Sequence, residues 1–159
     1  MKLNYDLRNA MNELGIETLR KPQVKPINCI LDGQDTFVIA PTGSGKSVIF
    51  QCAALVMYKR TGSWTLVIEP TISLMLDQVE RLNRQGVGAE LISSTHPMKT
   101  NGIEYITNEG KEHRIRIDVP LLYVTPERLA SPSFRKAIAR NPPGMVVIDE
   151  AHCILDWGY

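Results

Sequence analysis

The sequence predicts an α/β fold, a mostly parallel sheet with helices on both faces, and it does so in three places. Short runs rich in Val, Ile and Leu alternate with helical patterns from residue 35 onward. A glycine-rich loop ending in Lys-Ser follows the first of these runs and opens a helix. An Asp-Glu pair closes the last run. Near-continuous apolar runs of this length suit strands buried on both faces, as parallel strands are when helices cover the sheet. Alternation of this kind joins its strands by right-handed crossovers.

Taken in order, residues 1–34 are expected to form a helical N-terminal region and residues 35–159 the α/β core. The strand candidates are Thr36–Ala40, Trp64–Glu69, Ala89–Ser93, Leu121–Thr125 and Met145–Asp149. The run Val48–Tyr58 reads as a helix. Ile72, Met75, Leu76, Val79 and Leu82 draw one apolar stripe along a second helix. Ser131-Pro132 has the cap-then-proline form of a helix start, and Asn141-Pro142-Pro143-Gly144 would stop that helix. Residues 94–119 fit the alternation poorly. Turn signals at Asn101-Gly102 and Glu109-Gly110 precede a period-2 stretch, Arg114-Ile115-Arg116-Ile117. That segment is expected to leave the core and return as an edge strand, with Arg114 and Arg116 on a solvated face rather than on a nucleic acid.

Bulk properties bound the reading. A chain of 159 residues supports one core and not two. Its 43% apolar and 22% charged content is that of a globular protein. A net charge of +1 neither argues for nucleic acid nor excludes it, because a local cleft can be basic on a neutral chain. Cys29, Cys52 and Cys153 are odd in number and widely spaced, which argues against a disulfide framework and against a zinc site. No apolar run approaches the roughly 20 residues of a membrane helix, and the N-terminus lacks a signal-peptide core. A reducing compartment is expected, the bacterial cytoplasm or nucleoid.

The sharpest signal is Ala40-Pro41-Thr42-Gly43-Ser44-Gly45-Lys46-Ser47, a Walker A pattern with Ala where Gly is commoner. Glycines let successive backbone N–H groups converge on phosphate oxygens without a side chain in the way. The helix N-terminus adds favourable partial positive charge. Thr42, Gly43, Ser44 and Gly45 form the cradle, Lys46 neutralises the β and γ phosphates, and Ser47 offers a hydroxyl to Mg²⁺. The plain alternative is a glycine turn that happens to end in Lys-Ser.

The second half of such a site lies in Met145–Asp149. In open α/β sheets ligands bind at the C-terminal ends of strands, which is where this run delivers Asp149 and Glu150. Asp149 can hold Mg²⁺, since hard cations take oxygen ligands. Glu150 can orient and deprotonate an attacking water, because phosphoryl transfer depends mainly on positioning and charge stabilisation. A lone pair of solvated acids would be the plain reading. A Walker A loop upstream favours ATP binding and hydrolysis instead.

Together these stretches resemble the RecQ DNA helicases. Leu19-Arg20-Lys21-Pro22-Gln23, Pro41 to Ser47, Pro70 to Val79, Thr125-Pro126-Glu127-Arg128-Leu129 and Asp149-Glu150-Ala151-His152-Cys153-Ile154 follow one another in that family's order, across roughly residues 10–159. The resemblance implies a RecA-like P-loop domain of superfamily 2, ATP and Mg²⁺ as cofactors, 3′-to-5′ movement on single-stranded or partly duplex DNA, and roles in DNA repair and recombination.

The resemblance also distributes roles. Arg20 and Gln23 match the adenine-reading motif; an amide can meet a donor and an acceptor on a base edge. The other reading of Gln23 is a polar loop. Thr71 and Ser73 match one segment beside the DNA backbone, and Thr125 and Arg128 match another. Hydroxyls, helix starts and Arg contact phosphates without reading sequence, although Thr71 and Ser73 could equally cap a helix and Arg128 could pair with a surface acid. Trp157 matches the first aromatic of a loop that senses single-stranded DNA, where bases stack, against the ordinary fate of a buried tryptophan. His152 looks like the relay between site and loop. Ile16, Leu19, Leu76 and Glu69 depart from the family pattern.

What the family places after the Trp-Gly step is not in the sequence. The missing parts are the rest of the aromatic loop, the remaining strands of the first RecA-like domain, and the second RecA-like domain with its arginine finger. The chain is therefore expected to be a single partial RecA-like domain that binds Mg-ATP and contributes to single-stranded DNA binding without unwinding alone. Two other readings stand beside it: a superfamily 2 ATPase acting on RNA or in a restriction system, and a non-catalytic nucleotide-binding module.

Overall fold

The computed structural model describes residues 5–41, 43–93, 103–108 and 112–151. Two helices, α1 (Tyr5–Glu13) and α2 (Lys21–Leu31), precede the extended segment 34–41. Then come α3 (Lys46–Thr61), β1 (Thr65–Ile68), α4 (Ile72–Arg84), β2 (Ala89–Ile92), β3 (Ile103–Asn108), β4 (Glu112–Ile117), β5 (Leu121–Val124), α5 (Pro126–Leu129), α6 (Pro132–Arg140) and β6 (Met145–Ile148). Among the described residues no helix is long and apolar enough to cross a membrane.

The main sheet has the order β2-β5-β1-β6, and every pairing in it is parallel. Both central strands are buried at all four positions, which is why Thr65-Leu66-Val67-Ile68 and Leu121-Leu122-Tyr123-Val124 read as continuous runs rather than alternating ones. The two faces have separate cores. Val67, Leu121, Tyr123 and Ala89 pack with α1, α3 and α4 around Met11, Ile27, Phe50 and Met75. Leu66, Ile68, Leu122 and Val124 face the other way, onto Phe134 and Ala137 of α6 and Ile117 of β4. The middle of α3 is buried from Ile49 to Val56, so this helix is apolar all round rather than striped.

Three expectations are corrected. The run Thr36–Ala40 is extended but joins no strand, with Phe37 and Ile39 81% and 87% exposed. A strand exists only by pairing, and no described strand hydrogen-bonds to this run. Residues 103–108 and 112–117 form not an edge strand of the main sheet but a separate antiparallel pair, β3–β4, with Ile103 opposite Ile117 and Asn108 opposite Glu112. In the stripe of α4, Met75 and Leu82 are buried and Leu76 lies exposed at its rim.

Candidate nucleotide site

The phosphate loop is a left-handed turn capping α3. Gly43 and Gly45 sit at φ +74° and +84°, a region that L side chains reach only with strain. At Gly45 a second constraint adds to the first: a Cβ there would lie 2.6 Å from Gln23 Nε2. Gly45 is the N-cap of α3, so Lys46 and Ser47 begin the helix and their N–H groups have no intrahelical partner. Lys46 Nζ donates to the carbonyls of Ala40 (3.1 Å) and Pro41 (3.3 Å), folding the ammonium back over the loop it would share with phosphates. Thr42 lies outside the described residues.

Arg20 and Gln23 close over the same loop from α2. Gln23 is the third helical residue, and its Oε1 accepts the Arg20 N–H at 2.8 Å. Its Nε2 donates to the Gly45 carbonyl at 3.0 Å, while Arg20 Nη1 donates to the Ser44 carbonyl at 3.1 Å. Gln23 is therefore a buried helical residue and not part of a polar loop.

The carboxylates arrive from the sheet. Asp149 follows β6 and donates its N–H to the Ile68 carbonyl at 2.9 Å, which ties its position to the end of β1. Burial raises the Asp149 carboxyl above its ordinary range, the backbone N–H of Glu150 and the Lys46 ammonium opposing that shift. Glu150 holds φ +50°, the only non-glycine with positive φ among the described residues. Glu69 follows β1, 1% exposed, and accepts the Thr71 N–H at 3.0 Å. Burial first, and then Asp149 and Glu150, push its carboxyl upward.

Where a metal is concerned, no three candidate ligands converge among the described residues. Mg²⁺ does not need them, because it usually keeps several waters and takes one or two carboxylates plus substrate phosphates. Ser47 and Asp149 carry oxygen donors, the kind a hard dication takes.

The residues matched to DNA segments lie at the same end of the sheet. Thr71 is the N-cap of α4 and Ser73 follows in its first turn, both exposed. Thr71 makes no side-chain cap bond; Glu69 takes its N–H instead. Thr125 is the N-cap of α5 and buried. Arg128 places its guanidinium 5.7 Å from the Phe134 ring centroid, the geometry of a cation–π contact. His152 and Trp157 lie outside the described residues, and Arg114 and Arg116 are placed only by backbone register. Sequence reasoning missed one cluster, around Gln51. Its signal was a lone amide inside the otherwise apolar run Val48–Val56.

Residues 20–159 match the family model of the DEAD/DEAH box helicases. The chain belongs to the DEAD/DEAH box helicase family. Within that family it is similar to the ATP-dependent DNA helicase RecQ of Haemophilus influenzae, 38% identical over 145 residues, covering 91% of this chain and 22% of the relative. RecQ of Bacillus subtilis is 40% identical over 146 residues, covering 91% of this chain and 23% of the relative. The chain thus spans about a fifth of the length of the bacterial RecQ relatives it matches. A crystal structure of a hypothetical ATP-dependent RNA helicase from Sulfolobus tokodaii superposes with a TM-score of 0.66 at 24% identity, covering 98% of this chain and 44% of that one. That likeness speaks for the RecA-like helicase fold alone.

Proposed function

We propose that this chain is the N-terminal nucleotide-binding part of a RecQ-type 3′-to-5′ DNA helicase, binding Mg-ATP and contributing to single-stranded DNA binding. The observation that carries the reading is geometric: Arg20 and Gln23 hold the carbonyls of Ser44 and Gly45 in the glycine loop that opens α3. Asp149, after β6, donates its N–H to the Ile68 carbonyl at the end of β1. The C-terminal ends of parallel strands are where such folds bind ligands.

In this reading the loop N–H groups and Lys46 hold the phosphates, and Lys46 exchanges its carbonyl partners for phosphate oxygens. Arg20 and Gln23 hold the base. Ser47 and Asp149 would hold the magnesium, which when bound neutralises charge developing on the phosphates. Glu150 orients the attacking water and takes its proton. Thr71, Ser73, Thr125 and Arg128 line the DNA backbone side, with His152 and Trp157 completing the link. Hydrolysis by the 159-residue chain alone stays near background, because loss of an arginine finger typically costs on the order of 10³–10⁵ in rate.

Titration calorimetry with Mg-ATP tests the site. Binding by the wild-type chain, abolished in Lys46→Ala, is the expected result. Equal affinity in both would sink the assignment.

A further inference from the structure

The core beneath the site contains a closed polar cluster that catalysis as described does not use. Gln51, 1% exposed, lies in the buried middle of α3. Its Nε2 donates both hydrogens, to Gln78 Oε1 at 3.1 Å and to the Tyr123 hydroxyl at 3.3 Å. The Tyr123 hydroxyl in turn donates to Gln78 Oε1 at 3.1 Å, closing a ring of three side chains. Gln51 Oε1 accepts Arg81 Nη2 at 3.1 Å. Burial pushes the Tyr123 hydroxyl upward, so it stays protonated and keeps its donor.

Each member lies on an element that begins or ends at a residue of the proposed site. Gln51 is one turn beyond Ser47 on the same face of α3, about 6 Å along the axis. Gln78 is two turns beyond Thr71 in α4, and Tyr123 is two residues before Thr125, on the same side of the chain. The three elements that lead to the phosphates and to the two DNA-side segments are therefore tied to one amide. An apolar contact would hold α3 against α4 and β5 by packing alone, with no directional bond between them. A ring in which the buried Gln51 amide and Tyr123 hydroxyl are committed to the half-buried Gln78 breaks discretely, because a donor orphaned at low dielectric is costly.

We propose that Gln51, Gln78 and Tyr123 form a positioning node that couples the phosphate-loop helix to α4 and to the Thr125 end of β5, so that nucleotide and single-stranded DNA bind interdependently. It rests on the nucleotide-site reading above. The node touches neither ligand; its members position the residues that do.

The measurement is Mg-ATP affinity with and without a saturating thymidine oligonucleotide, on the protein at its natural length. Wild type should show a ratio of about fivefold or more, the usual lower range of coupling between sites. Tyr123→Phe, which deletes one hydroxyl and keeps the ring, should bring that ratio towards one while the affinity for each ligand alone changes little; Gln51→Leu should do the same. Cys52→Ala, buried on the same helix but outside the ring, controls for lost stability and should keep the wild-type ratio. A wild-type ratio in Tyr123→Phe, or an equal loss in Cys52→Ala, overturns the node. So does a ratio of one in wild type when Lys46→Ala still abolishes ATP binding. Should Lys46→Ala bind ATP normally, the underlying site reading fails first. Tyr123→Phe decides the matter if Gln51→Leu does not fold.

Discussion

The side-chain amide of Gln23 bridges its own helix start and the phosphate loop, accepting from Arg20 N at 2.8 Å and donating to the Gly45 carbonyl at 3.0 Å. A glutamine amide has two donor hydrogens and two acceptor lone pairs. One of each is used here, which leaves one donor and one acceptor. Those are the valences an adenine edge requires, so the loop contact and base reading need not compete for the same atoms.

Gly45→Ala should therefore suffer twice. The left-handed backbone costs a side chain about 1–2 kcal/mol, and the new Cβ meets Gln23 Nε2 at 2.6 Å. Gln23→Ala relieves only the collision. In urea titrations the double variant should be less destabilised than the sum of the two singles, with the backbone penalty still visible. Strict additivity would show that the amide moves aside freely.

Glu69 and Asp149 make stability depend on pH in an unusual direction. Burial raises both carboxyls, so the folded state holds protons that the unfolded chain has already released. Their contribution is fully present below the unfolded carboxylate range near pH 4, and it is lost as pH rises through the folded values. Glu69→Gln keeps an oxygen for the Thr71 N–H and removes one of the charges. Without magnesium it should melt higher than wild type at pH 7, and the difference should shrink on acidification. A lower melting temperature at neutral pH would refute the account.

Glu150 carries backbone strain at φ +50° beside Asp149. Strain of this kind is held where function requires a fixed side chain. Glu150→Gly should leave stability equal or higher, since glycine relieves the left-handed penalty while adding unfolded-state entropy. Glu150→Ala should gain nothing of the kind. Thermal melts of the two variants side by side separate strain from side-chain loss.

How far the sequence was legible follows from what each signal encodes. The continuous apolar runs in Trp64–Glu69 and Leu121–Thr125 marked strands correctly, because burial on both faces leaves a compositional trace. The loop from Gly43 to Ser47 was legible because only glycine suits its φ angles. Thr36–Ala40 has the same composition as the true strands, but composition records burial preference and not the presence of a pairing partner. Turn signals and the period-2 stretch at 114–117 marked extended structure, but not that 103–108 and 112–117 pair with each other apart from the main sheet. Gln51 showed as an anomaly in an apolar run, and its partners, 27 and 72 residues away, are set by topology alone.

The exposed segment gives the last test. With Phe37 and Ile39 81% and 87% exposed, their side chains contribute little buried area in this chain, whereas Val38 between them packs against the core. Phe37→Ser and Ile39→Thr should each change the unfolding free energy of the 159-residue chain by within about 0.5 kcal/mol, as surface substitutions do. Val38→Ala should cost more, because its methyl groups lose packing partners. The edge strand β6 exposes Val146 and Ile148 as well, and unpaired edges beside exposed apolar groups favour association. Sedimentation of a Phe37→Ser/Val146→Lys variant should accordingly show less concentration-dependent self-association than wild type. If Phe37→Ser alone unfolds the chain, residues 36–40 are buried in solution and the segment pairs after all.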